Sequence, residues 1–254
     1  MMEQISSLAG ARPTAPAAPS LTGEWRSYVA FLRRPGVPER AEGVSGHSLA
    51  ATARLLLLDF ALMAVLMTVG VIAYAVGVEF PENQLESLGW SLGTLALIVL
   101  IAPVMEEVMF RGWLSGRPGH VLAVLALGGG ALVLNADAAA GEASPTALIG
   151  LITTLVAAVA AIYAFRHRGP PNWFAKAFPI FFWLSALGFA TIHIWNYTEG
   201  AGPLVFLLVI PQLIAGTIFA YARVRYGLWS AILLHMLHNG TAVALAVGMG
   251  EVMG

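Results

Sequence analysis

Cysteine is absent from the 254 residues, and charged side chains make up only 11% of them. The first absence excludes a disulfide scaffold, a Cys-ligated zinc site, an iron–sulfur cluster and a thiol nucleophile. The second lies far below the quarter usual in soluble domains. With 58% hydrophobic residues and a mean hydropathy of +0.78, the chain reads as a polytopic membrane protein. Charge of one sign is also scarce in excess: a net −1 supplies no global basic field, so no nucleic acid is expected as a partner. No H-E-x-x-H string occurs, which removes the usual zincin helix. Chemistry must come from Glu, Asp, His, Ser and Asn.

The expected fold class is all-α, a transmembrane helix bundle of about seven spans with a cytoplasmic N-terminus. Residues 1–50 read as a largely disordered cytoplasmic tail, because Ala9 to Ser20 is an Ala/Pro tract that does not sustain a helix. Within it, residues 24–34 place Trp25, Tyr28, Val29 and Leu32 at helical spacing beside Arg26, Arg33 and Arg34. That pattern fits an interfacial helix on an anionic membrane surface, or equally a loosely packed cytoplasmic one. Residues 51–254 form the transmembrane domain. Its apolar stretches run over 55–78, 88–110, 119–136, 146–165, 179–197, 203–222 and 228–249.

Loop charges test this count, since cytoplasmic loops collect Lys and Arg. Six Arg precede or open the first span; Arg111 and Arg117 follow the second, Arg166, Arg168 and Lys176 the fourth, and Arg223 and Arg225 the sixth. Those are all 13 basic residues. The alternate connections hold acids alone: Glu79, Glu82 and Glu86, then Asp137 and Glu142, then Glu199, with Glu251 at the end.

Ionisable groups inside a span are costly and mark function or an internal pair. Here they are Asp59, Glu106, Glu107, His193, His235 and His238. Five of these six residues fall in three strings, Glu106-Glu107-x-x-x-Arg111, Phe189-x-x-x-His193 and His235-x-x-x-Asn239, the last of which also holds His238. Residues four apart share a helix face, so Glu107 can pair with Arg111 and Glu106 is left on another face without a local cation. An unpaired carboxylate in low dielectric suits a general base or a metal ligand. Pro103 removes a helix hydrogen bond and frees the Val99 carbonyl. His235 and Asn239 also share a face, where an imidazole can position water or bind metal and a carboxamide N–H can donate to an oxyanion. Phe189 packs one turn before His193 and shapes the same cavity. His238 points away from His235 and reads as a helix–helix hydrogen-bonding residue, as Asp59 reads as a packing residue.

The three strings, standing as EEVMFR, FATIH and HMLHN, resemble the CAAX protease and bacteriocin-processing (CPBP, or Abi) family of intramembrane endopeptidases. The resemblance covers roughly residues 95–245 and extends to APVMEEVMFRGWL and YGLWSAILLHMLHN. It implies that Glu106 activates water with Glu107 and Arg111 in support, that His193 and His235 orient that water or a metal holding it, and that Asn239 helps to stabilise the oxyanion. Glu106, His193 and His235 would form an accepted zinc ligand set with an open position. Zinc or another divalent metal and a metal-independent glutamate mechanism both stay open. The implied partners are membrane lipids and a peptide or protein substrate, lipidated at its C-terminus if the family name applies. The implied location is a bacterial inner membrane, with the site toward the cytoplasm.

Two features depart from a minimal family pattern. First, 82 positions separate Arg111 from His193 and contain two extra spans, expected either as a peripheral hairpin or as a reshaped substrate entrance. Second, at ~1.5 Å per residue His193 lies ~25 Å from Lys176, too deep for a straight helix starting there. Residues 172–178 are therefore expected along the interface, with the membrane helix beginning near Pro179. The Gly89-Trp90-Ser91-Leu92-Gly93 match to G-x-S-x-G lacks a strand–turn–helix context, so Ser91 reads as a packing residue. A proton-coupled carrier and a catalytically idle adaptor or immunity protein are the rival readings.

Overall fold

The computed structural model describes residues 20–83, 89–139, 145–197, 202 and 204–253. The Ala/Pro tract up to Pro19 and the loop acids Glu86, Glu142 and Glu199 lie outside these residues, as do the side chains of Asp137 and Glu251. Ten α-helices follow in order: α1 (Leu21–Arg33), α2 (Gly46–Ala75), α3 (Leu92–Ala96), α4 (Ala102–Arg111), α5 (Pro118–Ala139), α6 (Pro145–Ala164), α7 (Asn172–Ile192), α8 (Leu204–Leu208), α9 (Ile210–Arg225) and α10 (Leu228–Met253). A π-turn, Leu97–Ile101, joins α3 to α4, and 3-10 turns follow α4 and α7. Seven helical stretches are long and apolar enough to cross a membrane, matching the number expected.

The helix starts have identifiable causes. Ser20 accepts from Gly23 N–H, and Ser45 and Ser48 cap one another's backbone in a reciprocal box at the head of α2. Ser91 accepts from Thr94 N–H and opens α3, so the G-x-S-x-G serine is an N-cap rather than a packing residue. Gly116 closes the turn after α4 at φ 67°, where a Cβ would stand 2.5 Å from the Phe174 ring. Only glycine meets both demands.

Burial centres on α9, where every residue from Ala215 to Val224 is buried. On one side it meets Tyr28, Leu55 and Leu234 from α1, α2 and α10; on the other, Leu114, Phe178 and Phe182. The outward faces of α2 and α6 stay apolar, with Val65, Val69, Val156 and Val159 more than half exposed. That inversion is what a lipid environment requires.

Two expectations change, and a third is decided between its alternatives. The 24–34 segment forms α1 over Leu21–Arg33 and is not loosely packed, because Glu24 and Tyr28 are buried. Glu24 Oε1 accepts from the Tyr221 and Tyr226 hydroxyls at 3.1 and 2.7 Å, and the Tyr28 hydroxyl meets Thr217 Oγ1 at 2.6 Å. Burial pushes the Tyr28 phenol up to about 12, keeping it a donor. Second, residues 172–178 are not a segment separate from the span. Helix α7 runs unbroken through Pro179, since Phe174 and Phe178 are buried and Phe174 packs on Phe181 at 4.7 Å. Third, the extra spans form an antiparallel hairpin. Its close approach needs Gly119 against the Ala161 carbonyl and Gly130 against Thr154, where Cβ atoms would stand 2.7 and 2.6 Å away. The hairpin leans on α4 through α5 while α6 faces outward, the peripheral arrangement of the two expected.

Replacing Glu24 by Ala strands two buried tyrosine hydroxyls. The expected loss is on the order of 1–3 kcal/mol, read as a lower midpoint of unfolding in detergent, with Glu24→Gln losing less. An unchanged midpoint would show that the Glu24 hydrogen bonds carry no stability.

Candidate active site

The π-turn is the local irregularity that shapes the site. Within it the backbone register lengthens, and Ala102 N–H donates to the Leu97 carbonyl five residues back. In that register Ile98 is the acceptor due to Pro103, which has no N–H. The freed carbonyl is therefore that of Ile98, not Val99. Asn239 Nδ2 donates to it at 2.9 Å from α10. One carboxamide N–H thus locks α10 to the turn that leads into the two glutamates.

From there α4 presents Glu106 and Glu107 on different faces. Glu107 is fully buried, and its Oε1 accepts from Arg111 Nη1 at 2.6 Å, the i,i+4 pair expected. The same oxygen lies 2.9 Å from His235 Nδ1. A carboxylate accepts there, so the ring proton sits on Nδ1 and the Nε2 lone pair points away. It points toward Glu106, whose Oε2 is 3.7 Å from His235 Nε2. Glu106 is 27% exposed, yet Oε2 is buried and has no hydrogen-bond partner among the described residues. The carboxylate without an arginine of its own is thus the one that is partly exposed.

Aromatic rings and backbone carbonyls hold this centre. Arg111 lies over the Phe189 ring at 3.8 Å, a cation–π contact made stronger by complete desolvation. His235 stacks on Phe219 at 4.9 Å and meets Phe189 edge-on at 5.6 Å. A Cβ at Gly216 would stand 3.0 Å from Phe189 and 3.1 Å from Arg111 Nη2, so the glycine gives both room. Ser185 Oγ donates to the Phe110 carbonyl at 2.7 Å and ties α7 to α4.

His193 occupies the 3-10 turn at the end of α7. Its Nδ1 donates to the Phe189 carbonyl at 2.7 Å and its ring packs on Phe189 at 4.7 Å. Phe189 thus touches both histidines and the arginine. Among the described residues, however, no three His, Asp or Glu side chains come together closely enough to hold a metal ion. Glu106, His193 and His235, the ligand set implied by the resemblance, are thus not gathered into such a group as placed. His238 and Asp59 form a separate pair at 2.6 Å between α10 and α2. That is the helix–helix role expected of each, although their pairing was not.

Sequence reasoning missed Arg223. Counted as a loop charge, it is 93% buried and donates through Nε and Nη2 to the Arg111 and Gly112 carbonyls at 3.1 and 3.0 Å. It caps the C-terminus of the helix that bears the glutamates. Phe219 went unnoticed as well, since an apolar residue on an apolar helix carries no signal.

A polytopic helical membrane protein with a carboxylate–imidazole centre is the class that this fold and site define. A family model described as type II CAAX prenyl endopeptidase Rce1-like matches residues 88–241, more than half of the chain and all three strings. The chain belongs to this family of CAAX-type membrane proteases. No curated protein and no solved structure matches it.

The role of Asn239 has a direct test. Asn239→Ala removes the donor to Ile98, and Pro103→Ala supplies a backbone N–H in its place. The cost of Asn239→Ala is expected to shrink by about 1 kcal/mol in the Pro103→Ala background, measured by unfolding in mixed micelles. Equal costs in both backgrounds would mean that the Ile98 bond carries no stability.

Proposed function

We propose that the protein is an intramembrane endopeptidase in which Glu106 activates water against a peptide bond of a membrane-associated protein or peptide. The observation that carries this reading is the buried, unpartnered Glu106 Oε2 beside a His235 Nε2 whose lone pair is aimed by Glu107 and Arg111. A water about 2.8 Å from both atoms gives one hydrogen to the carboxylate and one hydrogen bond to the imidazole. Its oxygen lone pair then faces outward. Glu106 takes the proton as hydroxide adds to the scissile carbonyl, and returns it to the amide nitrogen as the C–N bond breaks. The second N–H of Asn239 is the donor left for the oxyanion. His193, with its proton committed to Phe189, keeps an Nε2 acceptor that lines the substrate approach.

The geometry favours the metal-independent form. What supports it is the 3.7 Å approach of Glu106 Oε2 to His235 Nε2, with no group of three His, Asp or Glu gathered around a metal position among the described residues. The alternation of basic and acidic connections supports a cytoplasm-facing site, and the compact chain and its motifs suggest a bacterial inner membrane. The family name points to a lipidated C-terminal segment as substrate.

With the protein in liposomes and a fluorogenic farnesylated peptide, Glu106→Gln is expected to lower the rate by roughly 10²–10⁴-fold with the fold kept. A chelator is expected to leave wild-type turnover unchanged. Turnover that survives Glu106→Gln would remove the peptidase assignment and favour an adaptor. Turnover lost to the chelator and restored by zinc would replace the metal-independent mechanism.

A further inference from the structure

Away from the glutamates, the turns after α4, α6 and α9 and the segment between α1 and α2 enclose two adjoining cavities of about 350 and 450 Å³. Arg40, Arg117 and Arg166 line both, and Arg223 and His120 line the first. The acid in the lining is Glu39, so four arginines against one glutamate leave a formal +3 with the histidines neutral. None of these arginines forms an ion pair among the described residues. Arg223 is buried with only backbone carbonyls as acceptors, and Arg117 Nη2 likewise donates to the Arg166 carbonyl. A desolvated guanidinium without a carboxylate, as at Arg223, is electrostatically incomplete, and the other three add positive charge at the cavity wall. The planar fork of arginine suits phosphate oxygens in particular.

The first cavity has a second kind of wall. Ile162 and Phe165 at the end of α6 are 43% and 37% exposed and line it beside the arginines. They continue the outward apolar face of α6, so a group seated among the arginines can extend acyl chains along that face. We propose that the joined cavities form a binding site for an anionic phosphate ester, occupied by the headgroup phosphate of an acidic membrane lipid. Basic pockets between transmembrane helices take such headgroups. Occupancy also completes the environment of Arg223, which holds the end of the helix carrying Glu106 and Glu107. The site is separate from the proposed chemistry and stands whether or not the protein is a peptidase.

The test follows thermal unfolding of the full chain in neutral detergent micelles titrated with short-chain phosphatidylglycerol. A saturable rise in midpoint is expected, with a much smaller one from short-chain phosphatidylcholine. Arg40→Ala combined with Arg166→Ala is expected to weaken the apparent affinity about tenfold or more, the loss of one or two charged hydrogen bonds. Both side chains are exposed, so the variant keeps the packed core. Arg34→Ala, outside both cavities, is expected to leave the affinity unchanged. Inorganic phosphate saturating the same shift where chloride does not would overturn the lipid assignment in favour of a soluble phosphate. Equal weakening by Arg34→Ala, or no saturable response to any phosphate, would overturn the site itself.

Discussion

The Glu107 carboxylate is buried completely and divides one oxygen between the Arg111 guanidinium at 2.6 Å and the His235 imidazole at 2.9 Å. A buried charge with that many obligations constrains everything around it. Arg111 can be charged there only because Glu107 faces it and the Phe189 ring lies beneath it. His235 takes one tautomer because an acceptor stands at Nδ1. Removing one partner of such a pair strands the other, at a cost of about 3–5 kcal/mol. The small residue at Gly216, the carbonyl cap from Arg223 and the Asn239 clamp on the π-turn all serve this one arrangement.

Two adjacent glutamates therefore divide their work by position on one helix. Successive residues diverge by about 100 degrees, so a single turn can bury one carboxylate completely between Arg111 and His235 and leave its neighbour partly exposed. In the proposed mechanism Glu107 orients and Glu106 reacts. The irregular backbone just before them is tolerated because protein covers it, with Asn239 supplying the hydrogen bond that Pro103 cannot.

Much of this was legible in the residues. Seven apolar lengths gave seven helical spans, and four-residue spacing paired Glu107 with Arg111. Local arithmetic of that kind survives folding because helix geometry fixes it. Contacts across the sequence were not legible. Spacing set His238 apart from His235 but could not name Asp59, 179 positions away, as its partner. The shift of the freed carbonyl from Val99 to Ile98 needed the π-turn, for which the apolar run Leu97–Ile101 carries no mark. Arg223 was read as a loop charge and Glu24 was given no role, since composition cannot reveal a buried carbonyl or tyrosine pair waiting for them. The extent of α7 was misjudged because its first turns are held by aromatic packing rather than by lipid depth.

Nitrogen-15 NMR of the His235 ring in lipid bilayers tests the central arrangement most directly. A neutral ring protonated at Nδ1, with Nε2 bare, is the expected result, and it should be lost in Glu107→Ala. A ring protonated at Nε2 in the wild-type protein would contradict the arrangement, because no lone pair would then face Glu106.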